Sequence, residues 1–270
     1  MITERLSMLG NLTRSFISHK DDVVFKFFNE AKRINKTSVI KYSESTLKKY
    51  NNIVGWKKEG IHPCFPYALL THMQFGIVTD KRFPFSPFGL IHKTEKIECI
   101  KELEAGSWEI KAVVPIIRKV PNGYEIELIS SLYINDELSW RSTTTAFKRT
   151  KKGLTKFSRD VADLKQSKKI HIPKNLGRKY ASVSNNFDLI HISDFTAKMM
   201  GQKRAIIHGM WTVARGVSEM DNLSYPCKME FKFLTPIYMD SNTQLQKSDA
   251  GFKFFNESGK RIHLEATINS

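Results

Sequence analysis

The chain has 270 residues, 41% of them hydrophobic and 26% charged, and a formal net charge of +16. That balance is typical of a soluble globular protein with room for one large domain or two small ones. No apolar run of about 18 residues is present, which excludes a membrane-spanning helix on the sequence, and residues 1–20 are amphipathic without a sustained apolar stretch, so no secretory signal is expected. Cys64, Cys99 and Cys227 are scattered and odd in number. They have neither metal-ligand spacing nor the look of a disulfide framework. They are read as packing residues in a reducing cytoplasm, with no metal and no cofactor expected.

In chain order, residues 1–60 read as mainly helical, with apolar residues at helical spacing over 23–34 and Asp21 and Asp22 near the start. Residues 64–78 are apolar almost all round and predict a buried helix. Pro84, Pro87 and Gly89 make 80–89 a loop. From Leu90 the pattern becomes strand-like. Residues 108–113 alternate, Pro121-Asn122-Gly123 is a hairpin turn, residues 124–129 alternate again, and 140–147 form a Thr-rich strand. Residues 151–167, charged and without periodicity, are placed as a linker between a unit at 1–150 and a second at 168–270. The second unit repeats the order: a polar segment, a buried helix at 210–216, then strands at 229–234, 243–246, 251–255 and 262–268, with a turn at 257–260. A buried helix followed by an antiparallel meander, twice over, predicts an α+β chain built from two copies of one unit. Lys48-Lys49-Tyr50 faintly echoes Arg178-Lys179-Tyr180.

The excess of basic residues admits three readings: a solvated Lys-rich surface, attraction to an anionic ligand or carrier, or nucleic acid. The diffuse distribution and the lack of a recognisable binding motif disfavour nucleic acid.

The chemistry-bearing stretch is 180–211. Residues 180–191 read as a polar loop with Ser184, Asn185, Asn186, Asp188 and His191, followed by a short helix, and His208-Gly209-Met210 then opens an apolar helix, Gly209 standing 18 positions after His191. This stretch resembles the MaoC-like dehydratases and (R)-specific enoyl-CoA hydratases, whose motif runs Ser-Gly-Asp-x-Asn-Pro-Ile-His, with His-Gly-Met following at about that spacing. Ser184, Ile190, His191, His208, Gly209 and Met210 match. Asn185 replaces the Gly, Asn186 the catalytic Asp, Asp188 the Asn and Leu189 the Pro. The match covers roughly residues 171–270, and the first half follows only faintly.

The resemblance implies a tandem double hot-dog fold, each unit a curved antiparallel sheet wrapped around a helix, with the first unit a degenerate copy that makes room for a longer acyl chain. It implies interconversion of (R)-3-hydroxyacyl and trans-2-enoyl thioesters carried on coenzyme A or acyl carrier protein. His191 becomes the acid/base residue, Gly209 N–H the oxyanion donor, Ser184 a support for the loop and His208 a packing residue. An amide at Asn186 orients water but accepts no proton at neutral pH. With 186–188 extended, Asp188 points to the same side as Asn186 and supplies the carboxylate from two places along; as the plainer alternative, Asp188 and Asp194 are caps. The second functional reading is a hot-dog module that has lost catalysis and binds acyl thioesters or a partner subunit. The oligomer stays open, a homodimer included. Ser-His-Asp hydrolysis, metal sites and glycine-rich phosphate loops find no support in the spacing.

Overall fold

The computed structural model describes residues 28–150, 160–221 and 223–269. Ten strands form one antiparallel sheet in the order β1-β3-β4-β5-β2-β7-β10-β9-β8-β6. β1 is Asn35–Ile40, β2 Leu90–Cys99, β3 Trp108–Val120, β4 Gly123–Ile134, β5 Glu137–Arg149, β6 Ser167–Ile172, β7 Cys227–Phe233, β8 Ser241–Ser248, β9 Gly251–Asn256 and β10 Ile262–Asn269. The order is a palindrome. Exchanging each of β1 to β5 with the strand five places later maps the sheet onto itself. The two halves meet where β2 pairs with β7, from Thr94 opposite Lys232 to Cys99 opposite Cys227.

Helices repeat the same way. α1 (Glu44–Val54) and α2 (Phe65–Val78) belong to the first half, and α3 (Leu176–Ser184), α4 (Asp194–Met199) and α5 (Gly209–Val217) to the second. α2 is helical because its residues are apolar with few β-branches, Pro66 sits in the first turn where it costs no hydrogen bond, and most of its surface is packed, with His72 and Phe75 exposed. α5 lies so close to the sheet that a Cβ on Gly216 would fall 2.0 Å from the Phe252 ring, so only glycine permits the approach. One contiguous core spans both halves, with Trp108, Trp140, Tyr50, Phe65, Phe231 and Phe254 fully buried. Burying each such side chain contributes about 1.5–3 kcal/mol before chain entropy is counted. This is the double hot-dog fold.

Polar bonds tie the halves together. Trp211 Nε1–H donates to the Ile53 carbonyl (3.0 Å), and His62 Nε2–H to the Ala214 carbonyl (3.0 Å) while His62 Nδ1 accepts from Cys64 N–H (2.9 Å). The faint echo of sequence is structural: Tyr50 of α1 and Tyr180 of α3 meet with ring centroids 6.3 Å apart. All three cysteines are buried free thiols.

Three expectations need correction. Residues 35–40, within the stretch read as helical, are β1. Of the helix expected over 23–34, only 28–31 are seen as helix; residues 23–27, like 151–159 of the linker, lie outside the described residues. Residues 180–184, read as polar loop, are the second half of α3. Among the described residues no helix is long and apolar enough to cross a membrane.

Candidate active site

The site is built where α3 ends and α5 begins. α3 stops at Asn185, which adopts the left-handed conformation (φ 52°). Glycine is the usual residue there and asparagine the next most tolerant, so the exchange of Gly for Asn185 preserves the turn. The equivalent end of α1 has Gly55 in the same conformation (φ 77°). Ser184 is buried, and its hydroxyl donates to the Tyr180 carbonyl at 3.0 Å, closing the last turn of α3.

Asn186 Oδ1 accepts from Asp188 N–H at 3.2 Å, and Asp188 Oδ1 accepts weakly from Ile190 N–H at 3.4 Å, capping the short turn Leu189–His191. That turn presents His191 inward. Asp188 itself is exposed, so its carboxylate acts on the imidazole through space rather than by a hydrogen bond. Asp194 does not cap α4. Ser193 is the cap, in a reciprocal box with Thr196, and Asp194 Oδ1 accepts from Ala205 N–H at 2.8 Å, fastening the loop that leads to α5.

His191 and His208 are both buried, and their rings stack at 3.8 Å. His191 Nδ1 lies 2.9 Å from the Ile206 carbonyl. A carbonyl only accepts, so Nδ1 carries the proton and Nε2 keeps a free lone pair. His208 Nε2–H likewise donates to the Asn186 carbonyl at 3.0 Å, leaving Nδ1 buried without a partner among the described residues. Burial pushes the His191 pKa down, only partly offset by the Ile206 carbonyl and the Asp188 charge. His208 is pushed well below the ordinary value, first by burial and then by His191. Both imidazoles are neutral near pH 7.

Gly209 follows His208 as the first residue of α5; no side chain caps this helix start, and the His208 carbonyl accepts from Trp211 N–H at 3.1 Å. A Cβ on Gly209 would lie 2.7 Å from the Phe233 ring, so glycine is required for this packing. Neutral imidazole, free lone pair and helix N-terminus together make a site that can take a proton and stabilise an oxyanion. Phe187, Leu189, Phe195 and Met199 are exposed on the segment that carries His191. A cavity of about 90 Å³ lies beside the same segment, between Lys174, Arg178 and Arg204 and the carboxylates Asp194 and Asp240. That is room for a few waters rather than an acyl chain. No group of three or more potential metal ligands is found among the described residues.

The structure thus brings His191, His208, Asn186 and Gly209 together and leaves the Asp188 carboxylate at the rim. Sequence reasoning missed Phe233, which the sheet brings under Gly209, and the Ile206 carbonyl that fixes the His191 tautomer. No local signal marks either one.

No protein-family model matches the chain. It is 22% identical over 247 residues to 3-hydroxyacyl-thioester dehydratase X of Mycobacterium tuberculosis strain H37Rv, across 87% of this chain and 85% of that protein. The crystal structure of that dehydratase, HtdX, superposes with a TM-score of 0.75 at 20% identity, covering 87% of this chain and 99% of the other. A MaoC-like dehydratase from Phytophthora capsici gives a TM-score of 0.69 at 14% identity, with 90% and 98% covered. A further Mycobacterium tuberculosis protein described as having a double hot-dog fold gives 0.56 at 10%, with 89% and 96% covered.

Proposed function

We propose that this chain, a double hot-dog protein that belongs with the MaoC-like dehydratases, interconverts (R)-3-hydroxyacyl and trans-2-enoyl thioesters carried on coenzyme A or acyl carrier protein. The observation that carries the reading is the buried His191, fixed as its Nδ1–H tautomer by Ile206, beside the open helix start at Gly209. The dehydratase name borne by its Mycobacterium relative, over most of both chains, supports the same reaction class.

In the hydration direction the thioester carbonyl rests against the Gly209 N–H, where the positive end of α5 favours the charge that develops on oxygen. His191 Nε2 takes a proton from water as the water oxygen bonds to the β-carbon. The double-bond electrons move toward the carbonyl to give an enolate, and the imidazolium returns its proton to the α-carbon. Water is added, and the histidine ends as it began. Asn186 orients the water, and the Asp188 charge favours the transient imidazolium. The exposed Phe187, Phe195 and Met199 offer an apolar rim for the arm that carries the thioester. The basic surface suits an anionic carrier.

Dehydration of (R)- against (S)-3-hydroxybutyryl-CoA tests the proposal. Turnover confined to the (R) form supports it, and turnover of the (S) form alone contradicts it. A second reading, a binding module on a retired site, is favoured by one observation: the position of the motif's catalytic Asp holds the amide Asn186.

A further inference from the structure

The inner face of the first half is polar where a hot-dog core is otherwise apolar. Glu95 of β2 is fully buried between Thr144 of β5 and Phe231 of β7 in register, and one row along, Ser130 and Ser142 face each other across β4 and β5. Glu95 Oε2 accepts from Thr144 Oγ1–H (2.6 Å) and from His92 Nε2–H (3.1 Å), and Thr144 Oγ1 accepts from Gln74 of α2 (3.0 Å). The other carboxylate oxygen, Glu95 Oε1, is buried with no hydrogen-bond partner among the described residues, and so are the Ser130 and Ser142 hydroxyls. Three unpaired buried oxygens on neighbouring strands, one of them on a carboxylate, are a standing cost to the fold. An apolar row would avoid it.

The row is coupled to the site just described. The His92 ring lies 4.3 Å from Phe233, the ring packed under Gly209, and stacks parallel to Tyr67 on α2 at 6.2 Å. Side-chain contacts thus lead from Gly209 through Phe233 to His92 and on to Glu95 in the first half.

We propose that this row is a binding site for the far part of the acyl chain, and that the acyl group it takes carries a hydroxyl or another hydrogen-bond donor instead of a plain alkyl tail. The inference rests on the acyl-thioester reading above. Glu95 Oε1 accepts from the donor, and the Ser130 and Ser142 hydroxyls turn to its oxygen. A plain tail leaves all three unpaired, which is how a site built for a hydroxyl rejects the analogue lacking one.

The test uses the full chain and two unreactive thioether analogues, of octenoyl-CoA and of its ω-hydroxy counterpart, with binding followed by calorimetry. The hydroxylated analogue is expected to bind at least about tenfold tighter. Glu95→Gln and, separately, Ser142→Ala, each confirmed folded by thermal melting, are expected to shrink that ratio toward one. Equal binding of the two analogues by the parent overturns the proposal, as does a ratio that survives both substitutions. A preference that appears in binding while no enoyl-CoA is turned over leaves this site standing and removes the hydratase reading, so the two fail separately.

Discussion

The imidazoles of His191 and His208 stack at 3.8 Å with an interplanar angle of 28°, and each gives its one proton to a backbone carbonyl. Two neutral rings in that contact accept at most one extra proton between them, since a charge on one opposes a charge on the other. Activity therefore needs the pair neutral before substrate binds. The folded-state pKa of His191 lies below its ordinary value, so kcat/KM should hold steady as pH falls to about 6.5, the usual histidine value, and decline only below it. A profile already falling between pH 8 and 7 on its acid side would contradict this. His191→Ala should lower kcat by about 10²–10⁴.

Asn186→Asp restores the carboxylate of the resembled motif without removing the acceptor used by Asp188 N–H. Added negative charge favours the imidazolium. Turnover is expected to rise at least about tenfold, which corresponds to about 1.4 kcal/mol of barrier, and the acid limb of the pH profile should move upward. Asp188→Asn removes the charge that already acts on His191 and should lower turnover. Stopped assays of the two variants side by side check both signs.

Gly209→Ala forces a Cβ to within 2.7 Å of Phe233. Overpacking of this kind costs about 1–3 kcal/mol, and the same methyl crowds the oxyanion position. The expected result is a lower melting temperature together with a loss of kcat larger than any change in KM.

His62 is buried with both nitrogens in use, and burial depresses its pKa to about 3. Unfolded, the residue titrates near 6.5. Above that pH both states are neutral and the full stability is present. Between pH 6.5 and about 3 the unfolded chain takes up a proton that the folded one does not, so stability falls as pH falls. Melting temperature should drop through this window, and His62→Gln, which has no titrating proton, should flatten the part of the slope due to this residue.

Much of the fold was legible in the sequence because the signals were local and strong. The all-round apolar run of α2, the turn at Pro121-Asn122-Gly123 and the alternation of the later strands each follow from side-chain period alone. β1 and α3 were not legible, and β6 was not anticipated. Asn35–Ile40 and Ser167–Ile172 are edge strands rich in Lys, Ser and Thr, which pair on one side and carry little apolar pattern. α3 mixes Arg178, Lys179, Ser182 and Ser184 with its buried residues, and its helical state comes from packing against α1 and α2. Within the candidate site, the spacing of His191 and Gly209 was visible. The stacking of His191 on His208 was not, because it depends on a turn that folds residues 186–191 back over the start of α5. Glu95 left only a faint trace: it shares the inward phase of Ile97 and Cys99 on β2, where a carboxylate is out of place.

The most direct test of the central claim is hydration of crotonyl-CoA and longer enoyl-CoA substrates, followed as loss of enoyl absorbance, for the parent chain and His191→Ala. The account predicts turnover by the parent and its collapse in the variant, with both proteins folded. No turnover by the parent at any chain length, or equal turnover by the two, would contradict it.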